Sequence, residues 1–292
     1  EITQILKLRK TEAAELSEQF SLADHEDIEL PPPLEPDSEE PQLIVLAGFP
    51  RAGTTLLSRL LAEKFHSVIS DEYPYLQQLV SQWGQIGKAF PKPTHVASKP
   101  LKLRKKTMNR YWQAQRETLD VGLEPGVLLI DKNPSLANLL PWLIGMAPGL
   151  QVIWAQRDPR DLWLSSVTLD APVNQVNCWW QTPNNFAKWV SNQHSLSMRL
   201  EKHLGTSRFQ RVDYSELVSS PDLVMQQLGN SLQINENNSP NELAQPRSPS
   251  YAEAVEQPHT RASGHWAKVG QSFSSETSAV LEDLARELCY EK

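Results

Sequence analysis

Short apolar runs alternate with helix-like segments along most of the chain. Runs of four or five apolar residues fit strands buried in a sheet, and each run is followed by a segment with helical spacing. Repeated strand-helix units predict an α/β protein with a parallel sheet. The predicted strands are 43–47, 127–130 and 152–155, with a further strand over 208–212. The predicted helices are one that begins at Thr54, 134 to about 146, 185–204 and 275 to about 290.

The N-terminal part of the chain has a different character. Residues 1–24 have a helical composition, and the acidic, proline-rich stretch 24–41 is typical of a linker. We therefore predict a helical N-terminal segment with its linker over 1–41 and one main domain over 42–292. Within that domain, residues 235–250 are rich in Asn, Pro and Ser, which predicts a loop.

The turn after the first predicted strand is suited to an anion. In the sequence GFPRAGTT, Gly48 and Gly53 stand five residues apart, as in a Walker A loop, and a helix follows directly. Backbone N–H groups at such a turn and the positive end of the helix dipole attract a phosphate-like group. The Walker A lysine is missing, and Arg51 supplies a cation earlier in the loop. The loop therefore predicts an anion site that differs from an ordinary ATP site.

Further cations follow other predicted strands. Lys132 comes after the second strand, and Arg157 and Arg160 come after the third. Because the carboxyl ends of parallel strands meet at the ligand-binding edge of an open sheet, we expect these side chains to lie near Arg51. Four cations at one edge favour a ligand with more than one phosphate-like group. The alternative for the two arginines is pairing with the neighbouring aspartates on a solvated surface.

Composition narrows the range of functions. The net charge of −7 opposes broad nucleic-acid binding, which needs an excess of Lys and Arg. No apolar run reaches the length of a membrane span and no signal-peptide pattern opens the chain as given, so we expect a soluble protein. Two cysteines, Cys178 and Cys289, make neither a disulfide framework nor a metal cluster, which favours a reducing, cytoplasmic compartment.

Two of these segments resemble motifs of the sulfotransferases that use 3′-phosphoadenosine 5′-phosphosulfate (PAPS). The sequence GFPRAGTT is similar to the family's 5′-phosphosulfate loop, although Ala52 stands where Ser is common. The segment 154–166 resembles the family's 3′-phosphate motif, in which an Arg after a strand and a Ser eight residues later hold the 3′-phosphate. Here these residues are Arg157 and Ser165.

Three further segments extend the resemblance over most of 42–292. The sequence DKNP at 131–134 resembles a lysine-containing loop of bacterial and protein-tyrosine sulfotransferases. Tyr214, in the sequence VDYSELV, matches a family Tyr that lies near the adenosine. Residues 261–270, which include Lys268, resemble the late loop that closes over the nucleotide, with departures from the usual pattern.

The resemblance implies a P-loop NTPase-like sulfotransferase fold, with three layers around a central parallel sheet. The implied reaction moves a sulfuryl group from PAPS to an acceptor hydroxyl or amine by in-line transfer, releases adenosine 3′,5′-bisphosphate (PAP) and needs no metal. Lys132 would stabilise the departing bridging oxygen, and Tyr214 and Lys268 would join the nucleotide contacts. Arg51 would serve both in binding and in catalysis. The implied ligands of the 5′-phosphosulfate, through side chains and backbone N–H groups, are Arg51, Ala52, Gly53, Thr54 and Thr55.

A general base must accept the proton of the acceptor hydroxyl. In the protein-tyrosine branch a Glu follows the loop Arg by twenty-one residues, and this position is Glu72 here. It lies after the first helix, where a loop can return toward the strand edge. His95 and His66 are rival candidates because other branches use His. The alternative is that Asp71 and Glu72 are solvated loop acids.

The motifs do not specify the acceptor. Aromatic residues between 73 and 120 suit a sugar or a phenol, and equally a helical core. A basic cluster from Lys99 to Arg110 suits an acidic polysaccharide or peptide, or forms a solvated helix face. Small molecules, carbohydrates and peptides stay open as acceptors, as does the oligomeric state. Two other functions stay open: an ATP-dependent P-loop phosphotransferase with Asp131 as a metal ligand, and a non-catalytic nucleotide-binding scaffold.

Overall fold

The computed structural model contains a parallel five-stranded sheet with helices packed against it. It describes residues 28–32, 42–65, 67–71, 76, 93–119, 128–147, 149–167, 182–234, 266 and 273–290. The strands are β1 (Gln42–Gly48), β2 (Ser67–Asp71), β3 (Leu128–Lys132), β4 (Gln151–Gln156) and β5 (Phe209–Asp213). The helices are α1 (Thr54–Lys64), α2 (Pro93–Ala97), α3 (Leu101–Leu119), α4 (Leu140–Met146), α5 (Pro159–Val167), α6 (Pro183–Leu204), α7 (Tyr214–Ser219), α8 (Pro221–Leu232) and α9 (Ser275–Glu287), and a 3-10 helix, Pro134–Leu139, precedes α4.

The strand order places β1 at the centre of the sheet. The order is β2-β3-β1-β4-β5, and every neighbouring pair is parallel. Strands β2 and β3 therefore lie on one side of β1, and β4 and β5 lie on the other side. In open α/β sheets, ligands bind beyond the carboxyl ends of the strands, where the direction of winding reverses. That place is the carboxyl end of β1, and the predicted α/β class with a parallel sheet is confirmed.

Helices cover both faces of the sheet, which gives three layers. The strand register places Asp131 of β3 and Arg211 of β5 on one face, where they contact Tyr111 of α3 and Glu201 of α6. On the other face, Gln42 of β1 contacts α8. Helix α1 packs against α8 and against β1, β2 and β3. Residues in the central strands are almost fully buried, so the core lies on both sides of the sheet.

The four predicted strands are β1, β3, β4 and β5, each within two residues of the expected bounds. The sequence analysis did not predict β2. Ser67 and Ser70 interrupt its apolar pattern, yet both side chains are fully buried. A strand whose buried positions hold serine gives neither an apolar run nor a clean alternation of apolar and polar residues.

The predicted helices are found with changed bounds. Helix α1 begins at Thr54 as expected, whereas the helix predicted from Pro134 is divided into a 3-10 helix and α4. Thr182 caps α6, because its side chain accepts a hydrogen bond from the N–H of Asn185 at 3.2 Å. Arg104, one of the predicted basic cluster, is buried and donates to the carbonyl of Gly145, so it belongs to the core. No helix in the described stretches is long and apolar enough to span a membrane.

Residues 28–32, within the predicted linker, contact the main domain. Arg199 of α6 donates to the carbonyl of Ile28, and Nε2 of His203 lies 2.7 Å from the carbonyl oxygen of Pro31. The division of the chain after residue 41 stays a prediction. The predicted loop 235–250 and residues 1–27 lie outside the described residues.

Candidate active site

The loop between β1 and α1 adopts a conformation that requires its glycines. Three of its residues have positive φ angles: Gly48 at 127°, Arg51 at 71° and Gly53 at 86°. A Cβ atom on Gly48 would lie 2.1 Å from the carbonyl oxygen of Ala155 in β4. No side chain fits there, so Gly48 allows the loop to leave the sheet close to β4.

Gly53 forms the N-terminus of α1 and lies against an aromatic ring. It has no side chain to cap the helix, and a Cβ atom at this position would lie 2.4 Å from the ring of Tyr214. The N–H groups of the first turn of a helix, here at Thr54 and Thr55, have no partner within the helix. Together with the helix dipole, they give this turn the character of an anion site.

Buried contacts hold the loop on the sheet. The N–H of Phe49 donates to the carbonyl of Ala155 at 3.2 Å, and the Phe49 ring packs edge-on against Trp154 and Trp189. The N–H of Ala52 donates to the carbonyl of Phe49 at 3.1 Å, and the Ala52 methyl is buried. Ala52 therefore uses its N–H inside the turn.

The two predicted phosphate motifs meet at this loop. Nε of Arg51 donates to Oγ of Ser165 at 3.3 Å, and Nη1 of Arg157 donates to the carbonyl of Arg51, also at 3.3 Å. The Arg157 guanidinium lies over the ring of Tyr214, 4.3 Å from its centroid. Arg157 is 5% exposed and Ser165 is 4% exposed, whereas Arg51 is exposed. The structure thus brings together Arg51, Gly53, Arg157, Ser165 and Tyr214.

Arg160 does not share this arrangement. Its guanidinium pairs with Asp158 at 2.6 Å and with Glu282 of α9 at 2.8 Å, and it also donates to the carbonyl of Tyr290. The hydrogen bonds and charge of Asp158 raise the pKa of Arg160 further above its usual range. Arg160 pairs with a neighbouring aspartate, as in the alternative from the sequence, but the pair is largely buried instead of lying on a solvated surface. Arg160 thereby links α5 to the C-terminal part of the domain.

Lys132 lies at the same edge as the loop. It ends β3, is 2% exposed, and stands opposite Leu46 of β1 and Asp71 of β2 in the strand register. Gly48 follows two residues after Leu46, so the lysine is next to the start of the loop. Alternate residues of a strand face opposite sides, which puts Lys132 on the face covered by α1.

Several predicted site residues lie outside the described residues. These are Glu72, His66 and Lys268, while His95 belongs to α2 but its side chain is not described. Asp71, the residue before Glu72, ends β2 opposite Lys132. The role of Glu72 as a base stays a prediction.

Asp131 has surroundings that the sequence analysis missed. Tyr111 of α3 donates to its Oδ2 at 2.8 Å, while Oδ1 and the hydroxyl of Ser70 have no hydrogen-bond partner among the described residues. Burial raises the pKa of Asp131 to about 7 and also raises the pKa of Tyr111. The carboxyl faces α3, on the opposite side of β3 from Lys132. No local signal reveals the contact, because Tyr111 is twenty residues away in the sequence.

Asp161 was treated in the sequence analysis only as a possible surface partner of an arginine. It is 1% exposed, and its Oδ2 lies 3.9 Å from Nη2 of Arg157. Its Oδ1 accepts a hydrogen bond from the N–H of Trp266 at 2.8 Å. The spacing of four residues from Arg157 is the one signal in the sequence for the first contact, and nothing local indicates the second.

The fold and this edge define an α/β protein with a P-loop-like turn after its first strand. A family model described as "Sulfotransferase family" matches residues 41–238, which is more than half of the chain. The chain belongs to the sulfotransferase family, and it is an enzyme that transfers a sulfuryl group from PAPS.

Two solved structures are similar over most of their length. The sulfotransferase domain of the olefin synthase of Synechococcus PCC 7002 is 19% identical, with a TM-score of 0.53, and the match covers 91% of this chain and 100% of that chain. The sulfotransferase domain from the curacin biosynthetic pathway is 18% identical, with a TM-score of 0.53, and the match covers 87% and 99%. At these identities the likeness shows the fold alone, and the predicted sulfotransferase fold is confirmed. No curated protein sequence matches the chain significantly.

Proposed function

We propose that the carboxyl edge of β1, β3 and β4 binds PAPS and that named residues at this edge carry out the transfer. The observation that supports this most directly is the contact of Arg51 with both Arg157 and Ser165. Residues from two motifs that are distant in the sequence share one place, next to an uncapped helix N-terminus. Two phosphate-like groups of one nucleotide can therefore be held together there.

The loop binds the 5′-phosphosulfate in this proposal. Arg51 supplies a cation, and Gly53, Thr54 and Thr55 supply backbone N–H groups at the positive end of α1. The threonines add hydroxyl donors. Ala52 contributes through the shape of the loop, because its N–H is used in the turn and its methyl is buried.

Arg157 and Ser165 bind the 3′-phosphate in this proposal. Both side chains are almost fully buried, so that contacts with a phosphate form where water competes little. Arg suits this role because its planar guanidinium can donate two parallel hydrogen bonds to a phosphate. Tyr214, which lies between Gly53 and Arg157, would contact the adenosine, and Lys268 would join these residues.

Lys132 and Glu72 act at the transfer step in this proposal. PAPS supplies the activated sulfuryl group. Lys132 ends β3 at the strand edge next to the loop, and we propose that its ammonium stabilises the charge that develops on the leaving oxygen. Glu72 accepts the proton of the acceptor hydroxyl, and it follows directly on the strand residue opposite Lys132.

Protein cations take the role that Mg²⁺ has in phosphoryl transfer, so we propose a reaction that needs no metal. The acceptor is a hydroxyl or amine of a small molecule, a carbohydrate or a peptide. Nucleic acid is not proposed as a partner, because the net charge is −7. The low cysteine content and the exposed free thiol of Cys289 support a reducing, cytoplasmic location.

A calorimetric titration tests the donor site. We expect PAP to bind with micromolar or tighter affinity in the presence of EDTA, and ATP with Mg²⁺ to bind far more weakly. Preference for the magnesium complex of ATP would contradict the proposed ligands. An assay with labelled PAPS and a panel of phenols, sugars and peptides, in EDTA, then tests transfer and acceptor class. Activity that depends on an added metal would contradict the metal-free part of the proposal.

A further inference from the structure

Asp161 is a buried carboxylate that contacts two distant segments. It lies in the first turn of α5, and its side chain is fully buried. One oxygen accepts the N–H of Trp266 at 2.8 Å, and the other lies 3.9 Å from the Arg157 guanidinium. Burying a carboxylate is costly unless it is paired with a cation or accepts hydrogen bonds. Asp161 has both kinds of partner.

Arg157 is held from several directions. Besides Asp161, it donates to the carbonyl of Arg51 in the loop at 3.3 Å and lies over the Tyr214 ring. These groups belong to different elements: the loop, α5 and α7. The orientation of the guanidinium therefore depends on Asp161 as well as on the loop. A buried cation with a fixed orientation loses little freedom when an anion binds.

Trp266, whose backbone N–H donates to Oδ1 of Asp161, is held by two further contacts of its side chain. Its indole Nε1 donates to Oε1 of Glu282 at 3.0 Å, and its ring stacks on Phe273 at a centroid distance of 5.3 Å. Glu282 in turn pairs with Arg160 at 2.8 Å. Trp266 is thereby tied both to α5 and to α9, and its backbone meets the same carboxylate that faces Arg157.

We propose that Asp161 is a positioning residue that sets the preference for nucleotides with a 3′-phosphate, by fixing Arg157 and Trp266 at one point. Asp161 itself does not touch the nucleotide. This inference rests on the proposed function, in which Arg157 binds the 3′-phosphate. It assigns the preference for a 3′-phosphate to Asp161, which contacts Arg157, as well as to Arg157 itself.

The test compares two ligands that differ at the 3′ position: PAP and adenosine 5′-monophosphate. In Asp161→Asn the amide oxygen can still accept the N–H of Trp266, but the charge beside Arg157 is lost. We expect the Kd for PAP to rise about tenfold while the Kd for the monophosphate changes by less than about twofold. The measured quantity is the ratio of the Kd for the monophosphate to the Kd for PAP, which should fall in Asp161→Asn. Asp158→Asn is the matched control, since Asp158 pairs with Arg160, and its ratio should equal that of the wild type.

If Asp161→Asn leaves the ratio unchanged, the inference is overturned. This holds whether both ligands bind more weakly by the same factor, which would show a merely structural role, or neither affinity changes. If Asp161→Asn does not fold, Asp161→Glu serves instead. It keeps the charge but moves the oxygens by one methylene, and the ratio must again fall.

The Arg157→Ala variant separates this inference from the proposed function. If Arg157→Ala leaves PAP binding unchanged, the proposed role of Arg157 is wrong. If Arg157→Ala weakens PAP but Asp161→Asn leaves the ratio unchanged, only the inference about Asp161 is wrong. In the double variant, Asp161→Asn should not change the ratio further, because Asp161 acts through Arg157.

Discussion

Two buried aspartates lie near the carboxyl edge of the sheet in different surroundings. The first region, which we call the nucleotide region, comprises Arg157, Asp161 and Trp266. There Asp161 lies between the Arg157 guanidinium and the N–H of Trp266. The second, which we call the β3 region, comprises Asp131, Lys132 and Tyr111, and there Asp131 accepts a hydrogen bond from the Tyr111 hydroxyl while burial raises its pKa to about 7. One carboxylate faces a cation, whereas the other faces a neutral phenol and is largely protonated below pH 7.

This difference shows two ways of using a buried carboxyl group near an anion site. Beside Arg157, the charge of Asp161 fixes a cation that is proposed to bind a phosphate. In the β3 region, alternation along the strand places Asp131 and Lys132 on opposite faces, so the carboxyl group is directed away from the proposed catalytic lysine. The nucleotide region is thus organised around a pair of opposite charges, and the β3 region keeps its acid and its lysine apart.

The largest expected effect is on turnover, from the Glu72→Gln substitution. Loss of a general base should lower kcat by about 10²–10⁴, while the Kd for PAP is preserved. The measurement is a steady-state assay with labelled PAPS and the best acceptor of the panel. Normal turnover would return attention to His95 and His66, and alanine substitutions at these two positions are the matching variants.

The Lys132→Met substitution tests the proposed catalytic role of the β3 region. Methionine keeps an unbranched side chain in this buried position but removes the charge, so kcat should fall by about 10²–10³, as for loss of one group that stabilises developing charge. The Kd for PAP should change far less. Lys202→Met, at an exposed position of α6, is the control and should have wild-type turnover. A loss of PAP affinity as large as the loss of turnover would make Lys132 a binding residue instead.

The sequence analysis identified the parts of this site that depend on neighbouring residues. Gly48 and Gly53 indicated the loop because their spacing reflects the local backbone, and apolar runs located β1, β3 and β4 for the same reason. Arg157 and Ser165 were identified through the resemblance of residues 154–166 to the family's 3′-phosphate motif, a local pattern that one helix and the turn before it carry.

Contacts between distant segments could not be predicted in this way. The N–H of Trp266 donates a hydrogen bond to Asp161, which is 105 residues earlier in the sequence. The Tyr111 hydroxyl donates to Asp131 only because α3 packs on that face of the sheet. Strand β2 was missed since its buried serines hide the apolar pattern. Hydrophobic periodicity reports which face of an element is buried, but it does not report which element covers that face.

The Arg157→Ala substitution tests the nucleotide region. Removal of a charge-assisted contact should raise the Kd for PAP about ten- to a hundredfold, which corresponds to about 1.5–3 kcal/mol. Calorimetric titration measures the change. Arg160→Ala is the matched control, because Arg160 pairs with Asp158 and Glu282, so its loss should lower stability but not PAP affinity. An equal effect of the two substitutions on PAP affinity would contradict the distinction between these arginines.

The smallest expected effect concerns the pH dependence of stability in the β3 region. The pKa of Asp131 is raised from 3.8 to about 7 in the folded protein, so the folded state keeps a proton that the unfolded chain releases above about pH 4. The free energy of unfolding therefore falls as pH rises toward 7 and this contribution is constant above it. Over pH 5.5 to 8, Asp131 should lower the free energy of unfolding by about 2 kcal/mol.

Asp131→Asn should remove this contribution, because asparagine can still accept the Tyr111 hydrogen bond and has no proton to lose. Urea unfolding of the wild type and the variant at several pH values measures it as the difference between their two slopes against pH. Asp158→Asn, which changes an aspartate paired with Arg160, should keep the wild-type slope in this range. Parallel pH profiles for the wild type and Asp131→Asn would mean that Asp131 is ionised in the folded protein. The two buried aspartates would then both hold a charge, and the contrast between the two regions would rest on their partners alone.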